Sequence, residues 1–445
     1  MDAAAVLYPI VWGIDARWFV GTVFVATYLL IMSERVNRVV VATIAGGLMV
    51  LGGVLDQQSA VQGVDFNTIG LLIGMMIIVG VVKQSGVFQY LAVGSAKLVR
   101  ANPWGILVML TLVTAVLSAF LNNVTTVLLI VPVTLLITDA LKISAYPYLF
   151  AEIFATNIGG TATLIGDPPN IMISSAIGFT FNQFLSNLGP IAVILLALTL
   201  IPIMLIWKRD MQTTPERRQR IMAYVEREAI TDRYLLWMSV SVLLCVILGF
   251  VISAHIHRQP ATIALFGAAV MLLLYTLNSP SSEQSRRITA VLADIEWTTI
   301  FFFIGLFILV YGVESTGLLE VLARQAVKLT AGDTTATAMA VLWISAVTSA
   351  MVDNIPFVAA MIPLLQKMGT LADGNAMNAI WWSLALGSCL GGSGTLVGAS
   401  SNLIIAGFAE SSGQPIRFLR FMLLAFPLML GSIAVSTVYV YLRYL

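Results

Sequence analysis

Residues 155–173, ATNIGGTATLIGDPPNIMI, break an apolar run with Gly-Gly, Pro-Pro, an aspartate and two asparagines, and the same framework returns 232 residues later. There Gly391-Gly392, Thr395-Leu396, Gly398 and Asn402 repeat Gly159-Gly160, Thr163-Leu164, Gly166 and Asn170. At an offset of 231, Gly74, Gly86, Ser118-Ala119, Asn123 and Pro132 match Gly305, Gly317, Ser349-Ala350, Asn354 and Pro363. Two blocks at nearly one offset define an internal repeat. Lipid offers backbone no hydrogen-bond partner, so an unwound segment survives at membrane depth only where protein covers it or it lines a wet cavity. Paired breaks at corresponding positions are the sequence mark of a transporter's binding site.

The surroundings are membrane-like: of 445 residues, 59% are hydrophobic and 10% charged, against roughly 25% charged in soluble domains. Apolar spans are expected at 18–33, 38–56, 66–83, 186–207, 233–254, 260–278, 296–313 and 418–442, with one broken crossing each at 147–179 and 378–408. Two apolar pairs return after polar tips, giving hairpins at about 103–138 and 336–368. The chain is therefore expected to be an all-α polytopic membrane protein of about ten transmembrane helices. Residues 1–207 form one repeat, 208–232 a cytoplasmic linker and 233–445 the second repeat. Five net crossings per half invert the second copy.

With the N-terminus outside, 17 of the 23 basic residues fall on the inner side, so the positive-inside rule places both termini outside. The linker's charge run reads as a topology determinant and helical tether. No removable signal peptide is expected. A net charge of +1 provides no field for nucleic acid, and Cys245 and Cys389 form neither a disulfide framework nor a zinc spacing. Trp18, Trp297, Trp381 and Trp382 read as interfacial, and His255 and His257 as solvated. Ser118 and Ser349 are open between pore lining and close helix packing.

Within the breaks, the hydroxyls and amides of Asn157, Thr161, Thr163, Asn170, Ser393, Thr395, Ser401 and Asn402 can ligate a polar or ionic solute, and exposed helix ends can attract charge. The halves differ in their acids. Asp167 corresponds to Ala399 and Asp353 to Asn122, so each half contributes one carboxylate in a different motif. A carboxylate inside the membrane costs roughly 2.5 to 3.5 kcal/mol on insertion scales and suits proton coupling. The competing reading makes Asp167 a helix cap and Asp353 a turn residue. Glu152, shortly before the first break, is a third candidate. Cys389 is a metalloid contact or a small buried hydrophobe.

The four motifs LSAFLNNVTTVLLIVPVT, ATNIGGTATLIGDPPNIMI, TSAMVDNIPFVAAMIPL and GGSGTLVGASSNLIIAG resemble the ion transporter superfamily. The branch is that of arsenite permeases of the ArsB type, NhaD antiporters and the melanosomal P protein, and the likeness runs from about residue 20 to 440. It implies two inverted five-helix repeats, each with a re-entrant hairpin and a broken helix. It also implies a site gathering Asn122, Asn123, Thr125, Asp353 and Asn354 from the tips. From the breaks come Asn157, Gly159, Thr161, Thr163, Asp167, Asn170, Gly392, Ser393, Thr395 and Asn402.

The resulting expectation is a secondary transporter of the cell inner membrane, exporting arsenite or antimonite by alternating access. Asp167, Asp353 and Glu152 would exchange protons. A sodium/proton antiporter and a sodium-coupled carboxylate or other anion transporter are the alternatives, and a channel-like anion conductance is a different class. No arginine or lysine is expected in the site. The expected coupling ion is H+, or Na+ in the alternatives, with no cofactor or bound metal. Expected partners are the lipid bilayer and a small inorganic substrate; the resemblance adds a soluble arsenic ATPase and a homodimer, with a monomer equally admissible.

Overall fold

The computed structural model describes residues 10–11, 14–33, 35–208, 211–277, 279–330, 333–369 and 374–445. After a two-residue antiparallel pair, β1 (Ile10–Val11) and β2 (Ile14–Asp15), the described residues are helical. The first half runs α1 (Ala16–Ser33), α2 (Arg38–Leu51), α3 (Gln57–Gln62), α4 (Phe66–Gln84) and α5 (Val87–Leu98). A hairpin of α6 (Pro103–Phe120) and α7 (Asn123–Leu141) precedes the broken pair α8 (Tyr146–Thr161) and α9 (Pro168–Ile177), and α10 (Phe181–Ile206) closes the half. The linker carries α11 (Pro215–Ala223). The second half then repeats the order as α12 (Arg233–Ile252), α13 (Pro260–Thr276), α14 (Ser281–Ala293), α15 (Trp297–Ser315) and α16 (Leu318–Leu329). Its hairpin is α17 (Thr334–Met351) and α18 (Asn354–Gly369), its broken pair α19 (Gly374–Gly391) and α20 (Ser400–Ser411), and its last helix α21 (Phe418–Tyr444).

Local chemistry sets these boundaries. Asp65 caps α4 by accepting from Asn67 N and Thr68 N, Asn102 caps α6 ahead of Pro103, and Thr180 with Gln183 forms a capping box on α10. Gly86 and Gly317, repeat mates, sit at φ 77° and 71° before α5 and α16, turns that a side chain would strain. The span expected at 38–56 is shorter than anticipated: α2 stops at Leu51, where Gly52 and Gly53 turn the chain.

Among the described residues, nine helices are long and apolar enough to cross a membrane by length and composition, and α2 and α13 are shorter apolar helices. The ten expected crossings correspond to α1, α2, α4, α10, α12, α13, α15, α21 and the two broken pairs. The halves exchange partners as a two-fold axis requires: α2 packs on α15 while α13 packs on α4, and α7 packs on α20 while α9 packs on α18. Small residues permit the close crossings, Gly46 against Gly305 and Gly74 against Ala264.

Burial separates two layers. In α8 every residue from Pro147 to Thr161 is buried, so this helix lies inside protein on all sides. By contrast Val193, Trp237 and Phe266 are each 71% exposed on apolar outer faces, as lipid contact requires. Trp18 and Trp297 are exposed, fitting the interfacial reading. Trp381 and Trp382 correct it: both are buried, and Trp382 stacks on Phe179 at 4.4 Å. The linker is also more than a tether. Met211 and Ile221 are buried, Thr213 Oγ1 donates to Leu141 O at 2.9 Å, and Lys97 Nζ pairs with Glu226 at 2.5 Å.

Candidate functional site

The two breaks are built by the same atoms. Asn170 Nδ2 donates to the carbonyls of Gly160, Thr161 and Thr163 at 3.3, 3.2 and 2.9 Å; its mate Asn402 donates to Gly392 and Thr395 at 2.7 and 2.9 Å. Thr163 Oγ1 donates to Ala119 O, and Thr395 Oγ1 to Ala350 O at 2.5 Å. Gly166 N and Gly398 N return to those hydroxyls at 3.2 Å each. These bonds replace the ladder lost on unwinding. The polar atoms of Thr163, Asn170, Thr395 and Asn402 are thereby engaged within the breaks, which they hold open.

The hairpin tips dock on this frame. Asn123, with its amide nitrogen facing three acceptors, donates to Ser118 Oγ, Thr156 O and Gly166 O at 2.5, 3.0 and 3.2 Å. Ser118 Oγ donates to Thr156 O at 2.8 Å and Ser349 Oγ to Ser388 O at 2.6 Å, so both serines join hairpin to broken helix. Gly159 and Gly391 lie against Ala115 and Ala346, where a methyl group would overlap backbone. A clasp then crosses the repeats. Asn157 Nδ2 donates to Asn402 Oδ1 at 3.2 Å, and its mate Cys389 donates to Asn170 Oδ1 at 3.5 Å. This contact gives the buried Cys389 thiol a place in the clasp.

Asp167 occupies the N-cap position of α9 without a side-chain capping bond: Pro168 and Pro169 have no N–H, and Asn170 N donates to the Asp167 main-chain carbonyl at 3.0 Å. Its carboxylate, 1% exposed, instead accepts from Asn354 Nδ2 of the other half. Asp353 accepts from Ile355 N at 3.2 Å and from Ser400 Oγ at 2.7 Å, and pairs with Arg38 Nη1. Glu152 lies away from this group, buried on α8 with Thr134 Oγ1 donating at 2.5 Å and Oε2 without a hydrogen-bond partner among the described residues. Thr125 N caps onto Asn122 at 2.7 Å, Thr161 Oγ1 turns back to Asn157 O at 2.7 Å, and Ser393 Oγ and Gly392 are buried at the second break.

Between the tips lies a cavity of about 30 Å³ lined by Asn122, Asn123, Asp167, Asn354, Ser400 and Ser401, together with Arg38 and Glu296. Four helix N-termini meet there, those of α7, α9, α18 and α20. A vestibule of about 610 Å³ adjoins it and shares Arg38, Glu296, Thr299 and Ser400. The expectation of a site without a basic residue is thus corrected by Arg38, and the count of one acid per half by Glu296, whose Oε2 accepts from Thr299 Oγ1 at 3.2 Å. Only Glu296 had a signal in the sequence. Arg38 was hidden at the edge of the span expected at 38–56; in the structure it opens a 14-residue helix about 21 Å long, short of the roughly 30 Å hydrocarbon core. Glu296 and Thr299 repeat Asp65 and Thr68 at the offset of 231.

Inverted repeats, paired breaks, docked hairpins and a polar cavity at their meeting point define a membrane transporter. Residues 28–387 match the family model described as CitMHS, citrate transporter, and the chain belongs to that family. An uncharacterized transporter of Mycobacterium tuberculosis is 42% identical over 95% of this chain and 97% of its own length. The P protein of Homo sapiens is 31% identical over 96% of this chain, which spans 60% of that longer protein. Among solved structures, the YdaH transporter of Alcanivorax borkumensis shares the fold at a TM-score of 0.61 and 15% identity, covering 96% of this chain and 99% of its own. MtrF of Neisseria gonorrhoeae, described with a class of antimetabolite efflux pumps, does so at 0.57 and 10%, covering 99% and 96%.

Proposed function

We propose that this protein is a secondary transporter of small carboxylate anions, coupled to protons by alternating access. The observation that carries this reading is the convergence of four helix N-termini and Arg38 on one buried cavity. Each helix end supplies roughly half a positive charge, and such ends favour anions by about 0.3 to 1 kcal/mol, up to about 2 when partly buried.

Asp167, Asp353 and Glu296 line the same region and, when ionised, balance those helix ends and Arg38 themselves. An incoming anion therefore needs carboxylates neutralised, which makes the proton its natural companion. The family's description as citrate transporters supports a tricarboxylate as the first solute to test. Arsenite or antimonite efflux, carried by the ArsB resemblance, fits less well: neutral arsenous acid gains little from positive helix ends. Cys389 already serves the clasp. Sodium/proton exchange requires a cation to settle among four positive ends.

The test is uptake into proteoliposomes of radiolabelled citrate, arsenite and sodium under imposed pH or sodium gradients. Citrate accumulation driven by the pH gradient, without a sodium requirement, supports the reading. Arsenite accumulation or sodium-driven proton movement with no carboxylate uptake overturns it.

A further inference from the structure

We infer that Arg38 is the group that recognises the anion, and that Asp353 with Ser400 forms the latch that holds Arg38 when no anion is bound. This inference rests on the anion reading above. Arg38 lines both the central cavity and the large vestibule, beside Glu296, Thr299 and Ser400, and its side chain is 30% exposed while that of Asp353 is 8%. The guanidinium Nη1 and Ser400 Oγ both donate to the same oxygen, Asp353 Oδ2. Phe302 places its ring centroid 5.2 Å from the guanidinium carbon, giving the cation a second support when it leaves the carboxylate.

The arrangement belongs to one half alone. The repeat mates of Asp353 and Ser400 are Asn122 and Pro168, neither of which can hold a cation by charge. With Arg38 latched, the central cavity of about 30 Å³ has room for little more than a water molecule. A carboxylate solute from the vestibule therefore gains both its space and its partner when Arg38 turns from Asp353. The planar fork of arginine suits such an exchange between two carboxylates, one in the protein and one in the solute.

Asp353 would then be a buried carboxylate without its counter-ion, and it takes a proton from the vestibule as the anion takes Arg38. The protonated group keeps Ile355 N and Ser400 Oγ as partners. The charged or titratable groups around it are Arg38, Glu296 and Asp167, with the Tyr28 hydroxyl donating to Pro356 O at 2.5 Å; Lys367, Glu314 and Glu320 cluster elsewhere. By linkage, each proton bound at Asp353 tightens the anion and each anion tightens the proton.

The test compares uptake kinetics of a radiolabelled tricarboxylate by the full-length protein in proteoliposomes, across mildly acid to alkaline pH. Wild type should show a KM that rises as pH rises. Asp353→Asn should flatten that dependence beyond what the solute's own ionisation causes. Arg38→Gln should raise KM by about tenfold to hundredfold, with partial rescue by Arg38→Lys, both checked for folding by gel filtration. Infrared difference spectra on adding the solute should show a carboxylic-acid band that Asp353→Asn removes. Uptake by wild type with KM unchanged in Arg38→Gln, or with the pH dependence and the band retained in Asp353→Asn, overturns the latch and leaves the anion reading standing. Absence of tricarboxylate uptake or binding by wild type overturns both.

Discussion

Asn354 donates its amide to both carboxylate oxygens of Asp167, at 3.3 and 3.1 Å, across the boundary between the two halves. The tip of one hairpin is thereby joined to the break of the other half at the cavity itself. Asp167 is not used as a helix cap, so replacing it leaves the local fold its other bonds. Asp167→Asn is expected to reduce uptake by tenfold or more while shifting thermal stability in detergent little, about 1 kcal/mol or less. An equal loss of both would make Asp167 a structural residue.

The clasp makes a separate prediction. Cys389 is fully buried and donates to Asn170 Oδ1, whereas Cys245 is exposed on the outer face. Cys389→Ala leaves that buried acceptor unpaired and should cost about 1 to 3 kcal/mol, and Cys389→Ser, which keeps a donor, less. A maleimide should react with Cys389 only after denaturation. Mass spectrometry of the labelled protein reads this directly.

Close packing at the breaks predicts the effect of adding a single methyl group. Gly159→Ala and Gly391→Ala place that group onto the backbone of Ala115 and Ala346, repeat mates themselves. Each should destabilise by about 1 to 3 kcal/mol in thermal unfolding, and by similar amounts because the halves share geometry. Gly47→Ala, where nothing lies within 4 Å, is the control.

The repeat, the broken helices and both hairpins were legible in the sequence because unwound backbone in lipid demands special residues, and Gly-Gly, Pro-Pro and the tip asparagines supply them at a fixed offset. Asp167 and Asp353 stood out for the same reason. Arg38 did not: its neighbours in sequence read as a loop, and it meets Asp353, at the tip between α17 and α18, only in the folded chain. Asn123 was legible as a polar tip residue and Asn170 and Asn402 as polar residues in the breaks, but the acceptors their amides reach are a product of the fold. The docking of the linker was hidden because its charge run also describes a solvated tether.

That linker gives a pH prediction. The hydrogen bond from Lys97 Nζ holds the Glu226 carboxyl below the usual carboxylate range. A depressed folded pKa contributes attachment that is present above the ordinary glutamate pKa and is lost as pH falls through the folded one. Hydrogen exchange over residues 211–232 should rise on acidification through that window, and Lys97→Ala should raise it already at neutral pH. Unchanged protection in both conditions would mean that the buried Ile221 and Met211, with the Thr213 bond to Leu141 O, hold the linker without the ion pair.

Anion and proton are proposed to occupy the site together. Isothermal calorimetry of tricarboxylate binding to the purified protein, in buffers of different ionisation enthalpy and at an alkaline pH where the solute is fully ionised, counts the protons exchanged. Wild type should take up protons on binding, and Asp353→Asn should take up fewer. Binding with no proton exchange, or with proton release, would contradict joint occupancy.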